Sequence, residues 1–78
     1  MIRVAVGYEF DRLRIDVEGD LDRAASTTLL EWLTTITTAA EGKQVLVDLR
    51  KAILQPEEEA AQVMESQPNL RLLRKAPG

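Results

Sequence analysis

The sequence predicts a small α/β domain, a two-layer fold with a mixed four-stranded sheet and two main helices in the order β-β-α-β-α-β. Three observations carry this. Two segments near the N-terminus alternate apolar and polar residues at period two. A long segment after them repeats apolar residues at three- and four-residue spacing, the period of a helix with one buried stripe. Between it and a shorter second helix lies the most concentrated aliphatic run, Val45, Leu46, Val47 and Leu49. That run is too short for an ordinary helix and has the composition of a strand buried on both faces.

The first strand has Ile2, Val4 and Val6 on one face and Arg3 and Ala5 on the other. Tyr8 and Phe10 extend it past Gly7, where a bulge is expected. Asp11-Arg12 is the expected hairpin turn. The second strand places Leu13, Ile15 and Val17 inward, with Arg14, Asp16 and Glu18 outward. The two are therefore antiparallel.

Asp22, with Asp20 as the alternative, can accept hydrogen bonds at the start of a helix that runs to about Ala40. Its stripe is Ala25, Leu29, Trp32, Leu33, Ile36 and Ala40. Threonines 27, 28, 34, 35, 37 and 38 are poor helix formers, so packing of that stripe must hold the helix. Trp32 is expected to be its largest core contribution. Gly42 stops the helix. The central strand spans Lys43 to Arg50, and Arg50 to Gln55 reads as a loop.

Pro56 suits the first position of the second helix, and Glu57, Glu58 and Glu59 fill its first turn, where the helix dipole favours acids. Ala60, Val63 and Met64 supply its apolar face, and Gln67-Pro68-Asn69 ends it. Leu70 to Leu73 forms the last strand, before a polar tail. Helices between successive strands imply right-handed crossovers and parallel neighbours. Both helices are expected on one sheet face. The other face carries Arg3, Arg14, Asp16, Asp48 and Arg71, with Leu46, Leu73 and Tyr8 as its apolar members.

The 78 residues read as a single domain over 1–78, near the lower size limit for a self-sufficient core. A net charge of −3 argues against a nucleic-acid partner. The chain has neither cysteine nor histidine, which removes disulfides, thiolate metal sites and the commonest general base. No cofactor is indicated, and no catalytic constellation emerges, so the expectation is not an enzyme. No apolar run reaches the roughly 20 residues of a membrane span, and no signal peptide is visible, so the cytoplasm is the default compartment.

Two short stretches then point to a family. Gly19-Asp20-Leu21-Asp22 follows an alternating strand and opens a helix, and Val45-Leu46-Val47-Asp48-Leu49-Arg50 forms the next strand. In this the chain resembles the STAS family, the domain of bacterial anti-sigma-factor antagonists. That family has Gly-Glu-Leu-Asp at the first place, a strand ending in Asp-Leu-Ser at the second, and then Asp-Ser-Ser-Gly opening the next helix. Leu70 to Pro77 is similar to the family's following strand and Pro-containing turn. The resemblance implies a non-catalytic, regulatory protein–protein interaction module of bacterial type. Its partner would be an anti-sigma kinase or another STAS protein.

The departures from the family pattern carry further expectations. Counted from Asp48 without gaps, Asp-Ser-Ser falls on Pro56, Glu57 and Glu58, so the family's phosphoacceptor hydroxyl is missing. The nearest hydroxyl beyond the loop is Ser66, at the wrong end of the helix. The resemblance makes Asp22, Pro56, Glu57 and Glu58 the partner-binding residues. Glu58 is either a first-turn acid or a permanent stand-in for phosphoserine, with one charge where phosphate has nearly two. Asp22 is an N-cap or a partner contact. The chain stops where the family continues with another helix, which leaves surface to cover by self-association. Leu46 and Leu73 on the open face are the expected contact of a homodimer. Two other readings stand beside this one, a structural homo-oligomeric subunit and a small-ligand or Mg²⁺-binding domain built on acids.

Overall fold

The fold was analysed in a computed structural model that describes residues 2–40 and 42–75. It contains β1 (Arg3–Glu9), β2 (Arg12–Leu21), α1 (Arg23–Ala39), β3 (Val45–Leu54), α2 (Glu57–Glu65) and β4 (Leu70–Leu73). The four strands form one mixed sheet in the order β1-β2-β3-β4. β1 and β2 are antiparallel, and β2, β3 and β4 run parallel to one another. This is the expected architecture. The expected strand start at Met1 and the turn at Pro77 lie outside the described residues.

The core lies between one sheet face and the two helices. Ile15 and Val17 of β2 and Val45, Val47 and Leu49 of β3 meet Leu29 and Leu33 of α1 and Ala60 and Met64 of α2. Leu21, Leu54 and Leu70 close the ends of this cluster. Ile15, Val45 and Val47 are fully excluded from solvent, as period-two strands under a helical layer require.

Several elements differ from the sequence expectation. β3 does not end at Arg50 but runs on to Leu54, so 50–54 is strand and not loop. The cause is a bulge. Asp16 pairs with Asp48 and Glu18 with Lys51, so Val17 alone stands opposite Leu49 and Arg50. The extra residue flips the alternation of β3. Leu49 before it and Ala52 and Leu54 after it therefore all reach the core. The bulge expected at Gly7 is absent, and β1 pairs with β2 without a shift.

β2 likewise continues through Gly19 to Leu21, paired with Ala52 to Leu54. Gly19 takes a φ of 114°, a backbone region that disfavours side chains. The hairpin turn is Phe10-Asp11 and not Asp11-Arg12, because Glu9 pairs with Arg12. Phe10 takes the positive φ, 58°, that a two-residue connection needs.

Asp22 caps α1, its Oδ1 accepting from the Ala25 backbone N–H at 2.8 Å. The buried stripe of α1 is Ser26, Leu29, Leu33 and Thr37. Trp32 and Ile36 flank it and are only partly buried, so Trp32 is not the centre of the core. The helix is turned by about one position relative to the expected stripe, which brings Ser26 and Thr37 inside. Ser26 Oγ donates to the Leu21 carbonyl at 3.4 Å and accepts from the Gln55 N–H at 3.3 Å. Thr37 Oγ1 donates to the Thr34 carbonyl at 3.0 Å. The exposed threonines 27, 28, 34, 35 and 38 satisfy their hydroxyls on the carbonyl four residues earlier.

Pro56 is the N-cap of α2 and not its first helical residue, with an extended ψ of 131°. α2 buries Ala60, Ala61 and Met64, while Val63 is exposed. Tyr8 belongs to the helix-covered face, not the open one. It pairs with Leu13 and shares a groove with Ile36.

Candidate functional site

The parallel strands β2 and β3 finish side by side, Leu21 paired with Leu54. Each then enters a helix, at Asp22 and at Pro56. The register thus brings Asp22 and the Pro56–Glu58 segment to one end of the sheet, the end where α/β proteins commonly place ligands and partners. The Ser26 hydroxyl ties the two junctions together by its bonds to Leu21 and Gln55. At this end Asp22 is an N-cap in fact. Pro56 is half-buried, and Glu57 and Glu58 are exposed.

The first-turn acids of α2 face a cation that sequence reasoning missed. Arg74, just past β4, lies 3.5 Å from Glu58 and 3.9 Å from both Glu57 and Glu65. The Glu58 side chain is 82% exposed, so these are surface pairs of small energetic value. Their effect is to hold two acids near the helix start, where the dipole also favours them.

The open sheet face carries a second cluster. Asp48 sits at its centre, 9% exposed. Its Oδ2 accepts from Arg14 Nη2 and Arg50 Nη2, both at 2.8 Å. Its Oδ1 accepts from Arg50 Nε and from the Arg50 backbone N–H, both at 3.0 Å. Arg14 also donates to Asp16 at 3.2 Å and to Glu9 at 3.3 Å, and Arg12 donates to Glu9 at 3.3 Å. The Asp48 carboxyl is held down to about 2, first by the Arg50 side-chain hydrogen bond and then by the Arg50 N–H and the two guanidinium charges, against the opposing effect of burial. In turn Asp48 raises Arg50 above its ordinary value. This carboxylate has a fixed charge and every hydrogen bond spent on the fold. It clamps the β3 bulge through the Arg50 N–H, and it has no lone pair positioned for chemistry. The signal for it in the sequence was an acid inside the most apolar strand, opposite alternating arginines.

Leu46 lies on this same face but is only 6% exposed, and Leu73 is half-buried. Leu46 stands level with Arg14 and Arg71 in the sheet, whose long side chains can cover it. Among the described residues no cluster of three or more acids is arranged to hold a metal ion, and no helix is long and apolar enough to cross a membrane.

No protein-family model and no curated protein matches this chain. Several solved structures match it, among them the following two. The crystal structure of Mglu matches 94% of this chain with a TM-score of 0.58 and 18% identity. This chain spans 19% of that protein's length, so the likeness concerns one part of it. The STAS domain of an antisigma-factor antagonist from Rhodobacter sphaeroides matches 95% of this chain and 85% of its own length, with a TM-score of 0.44 and 14% identity.

Proposed function

We propose that this chain is a non-catalytic protein–protein interaction module, resembling an anti-sigma-factor antagonist without a phosphorylation switch. The observation that carries the reading is the shared end of β2 and β3. There Asp22 and Pro56–Glu58 come together in the positions that the family resemblance gives to partner contacts. No hydroxyl lies between Arg50 and Glu59, so the segment that would carry the switch presents carboxylates instead. Glu58 is exposed in the first turn of α2, which suits a fixed negative contact.

The test is calorimetric titration with an anti-sigma kinase and with a STAS protein, with and without ATP. Binding should not change on incubation with ATP, and mass spectrometry should find no phosphate on residues 50–59. Glu58→Lys should weaken binding with the fold intact by circular dichroism. Phosphate on that segment, or binding indifferent to Glu58→Lys, would remove this end as the contact. A second reading, a subunit of a homo-oligomer, is favoured by a different observation, the apolar edge of β1.

A further inference from the structure

β1 is the outer strand of the sheet and, at seven residues, a long one. Ile2, Val4, Val6, Tyr8 and Phe10 are 46, 42, 53, 81 and 94% exposed. Val4 pairs with Val17, Val6 with Ile15 and Tyr8 with Leu13, so these even-numbered side chains stand on the helix-covered face. α1 does not reach over them. Ile2 and Val4 share an apolar groove with Ala25, Leu29 and Trp32, and Tyr8 shares a second groove with Ile36. Proteins usually shield such an edge with lysine, proline or a bulge, and this strand has none of them.

We infer that β1 is the contact between two copies of this chain, paired antiparallel about a two-fold axis through Val6. The two sheets then become one continuous sheet. The backbone restricts the register. Glu9 and Arg12 flank a two-residue connection, which closes on a hydrogen-bonded pair. By alternation Arg3, Ala5, Gly7 and Glu9 direct their backbone groups to β2, and Val4, Val6 and Tyr8 direct theirs to the free edge. A symmetric partner must therefore pair even residues with even residues.

Of such registers, the one centred on Val6 pairs the whole of 3–9 with itself. It sets Val4 against Tyr8 and Val6 against Val6. It also sets Arg3 against Glu9 at both ends, with the small Ala5 against Gly7 between them. Arg3 has no ion pair among the described residues. Shifting the register by two residues either way removes the Arg3–Glu9 pairing and leaves strand residues without partners. Ile2 falls opposite the Phe10 end, so the five exposed apolar side chains of one copy meet those of the other. An interface built on a two-fold axis must be complementary to itself, and this strand is, in shape, charge and hydrogen bonding. The proposal does not depend on the partner site at the other end of the sheet.

The experiment uses the absence of native cysteine. Val6→Cys places two thiols opposite each other across the axis, about 5.5 Å apart between Cα atoms, within disulfide range. Val4→Cys separates its two copies by four residues along the strand, about 13 Å, which is out of range. Under mild oxidation Val6→Cys should give a covalent dimer and Val4→Cys should not. Sedimentation of the parent chain should show a dimer at micromolar concentration. Val6→Lys, which opposes two like charges on the axis, should give a folded monomer. A parent that stays monomeric at high micromolar concentration overturns the proposal, as does a dimer indifferent to Val6→Lys. Equal cross-linking of both cysteine variants overturns the register. Should Val6→Lys unfold, the cysteine pair decides alone.

Discussion

Asp48 is the residue on which the open face turns. Its carboxyl titrates near 2 in the fold and near 4 in an unfolded chain. A depressed folded value stabilises wherever the unfolded group is ionised. That contribution is complete above about pH 4 and is lost as pH falls towards 2. Asp48→Asn should therefore flatten the loss of stability over this window, measured by urea unfolding at several pH values. It should also lower stability at neutral pH, because two guanidinium groups lose their partner. An unchanged acid limb in the variant would assign that limb to other carboxylates. Phe10 makes the second argument at this scale. Its φ of 58° strains a side chain that is 94% exposed. In the Val6→Lys monomer, Phe10→Gly should raise stability by about 0.5–1 kcal/mol, the left-handed penalty less the glycine entropy. A loss measured by urea unfolding in that background would mean that Phe10 packs on a neighbour.

At the scale of elements, α1 buries two polar side chains, Ser26 and Thr37, and leaves Trp32 at its flank. Leu33 is 1% exposed in the core, and Trp32 stands at the groove wall. In the Val6→Lys monomer, Leu33→Ala should cost about 2–5 kcal/mol and Trp32→Ala less, by urea unfolding. The reverse order would restore Trp32 to the core. Asn69 joins three elements. Its Nδ2 donates to the Thr37 carbonyl at 3.0 Å and to the Lys43 carbonyl at 3.1 Å, and its own carbonyl accepts from the Val45 N–H at 2.8 Å. Asn69→Ala should cost about 1–2 kcal/mol through the two side-chain bonds. A neutral result would show that water replaces them.

For the whole molecule, the two sheet faces are unequally finished. The open face is closed by its own ion network around Asp48. The helix-covered face is closed over β2 and β3 but not over β1, because α1 packs on β2 and β3 and α2 on β3 and β4. If a second copy covers that groove, Trp32 fluorescence should shift to shorter wavelength as the parent is concentrated, and should not shift in Val6→Lys. A concentration-independent spectrum with a dimeric mass would place the contact elsewhere.

Sequence alone determined the element order, the strand directions and the inward-facing residues Leu13, Ile15 and Val17 of β2. Those follow from period and from the residues that start and stop helices, which act locally. It also located Asp22 as a cap and the acids of α2, since helix ends state their needs within a few residues. Tertiary structure decided the rest. The bulge opposite Val17 arises from pairing between β2 and β3, and it converted an expected loop into strand. Ser26 lies inside with a partner distant in the chain, the Gln55 N–H, and Trp32 stands at the flank. Arg14 and Arg50 converged on Asp48 because the sheet set them side by side. The alternation of β1 was legible from the start, but which of its faces would stay uncovered was not. That depends on how far α1 reaches across the sheet, a distance that no local pattern encodes.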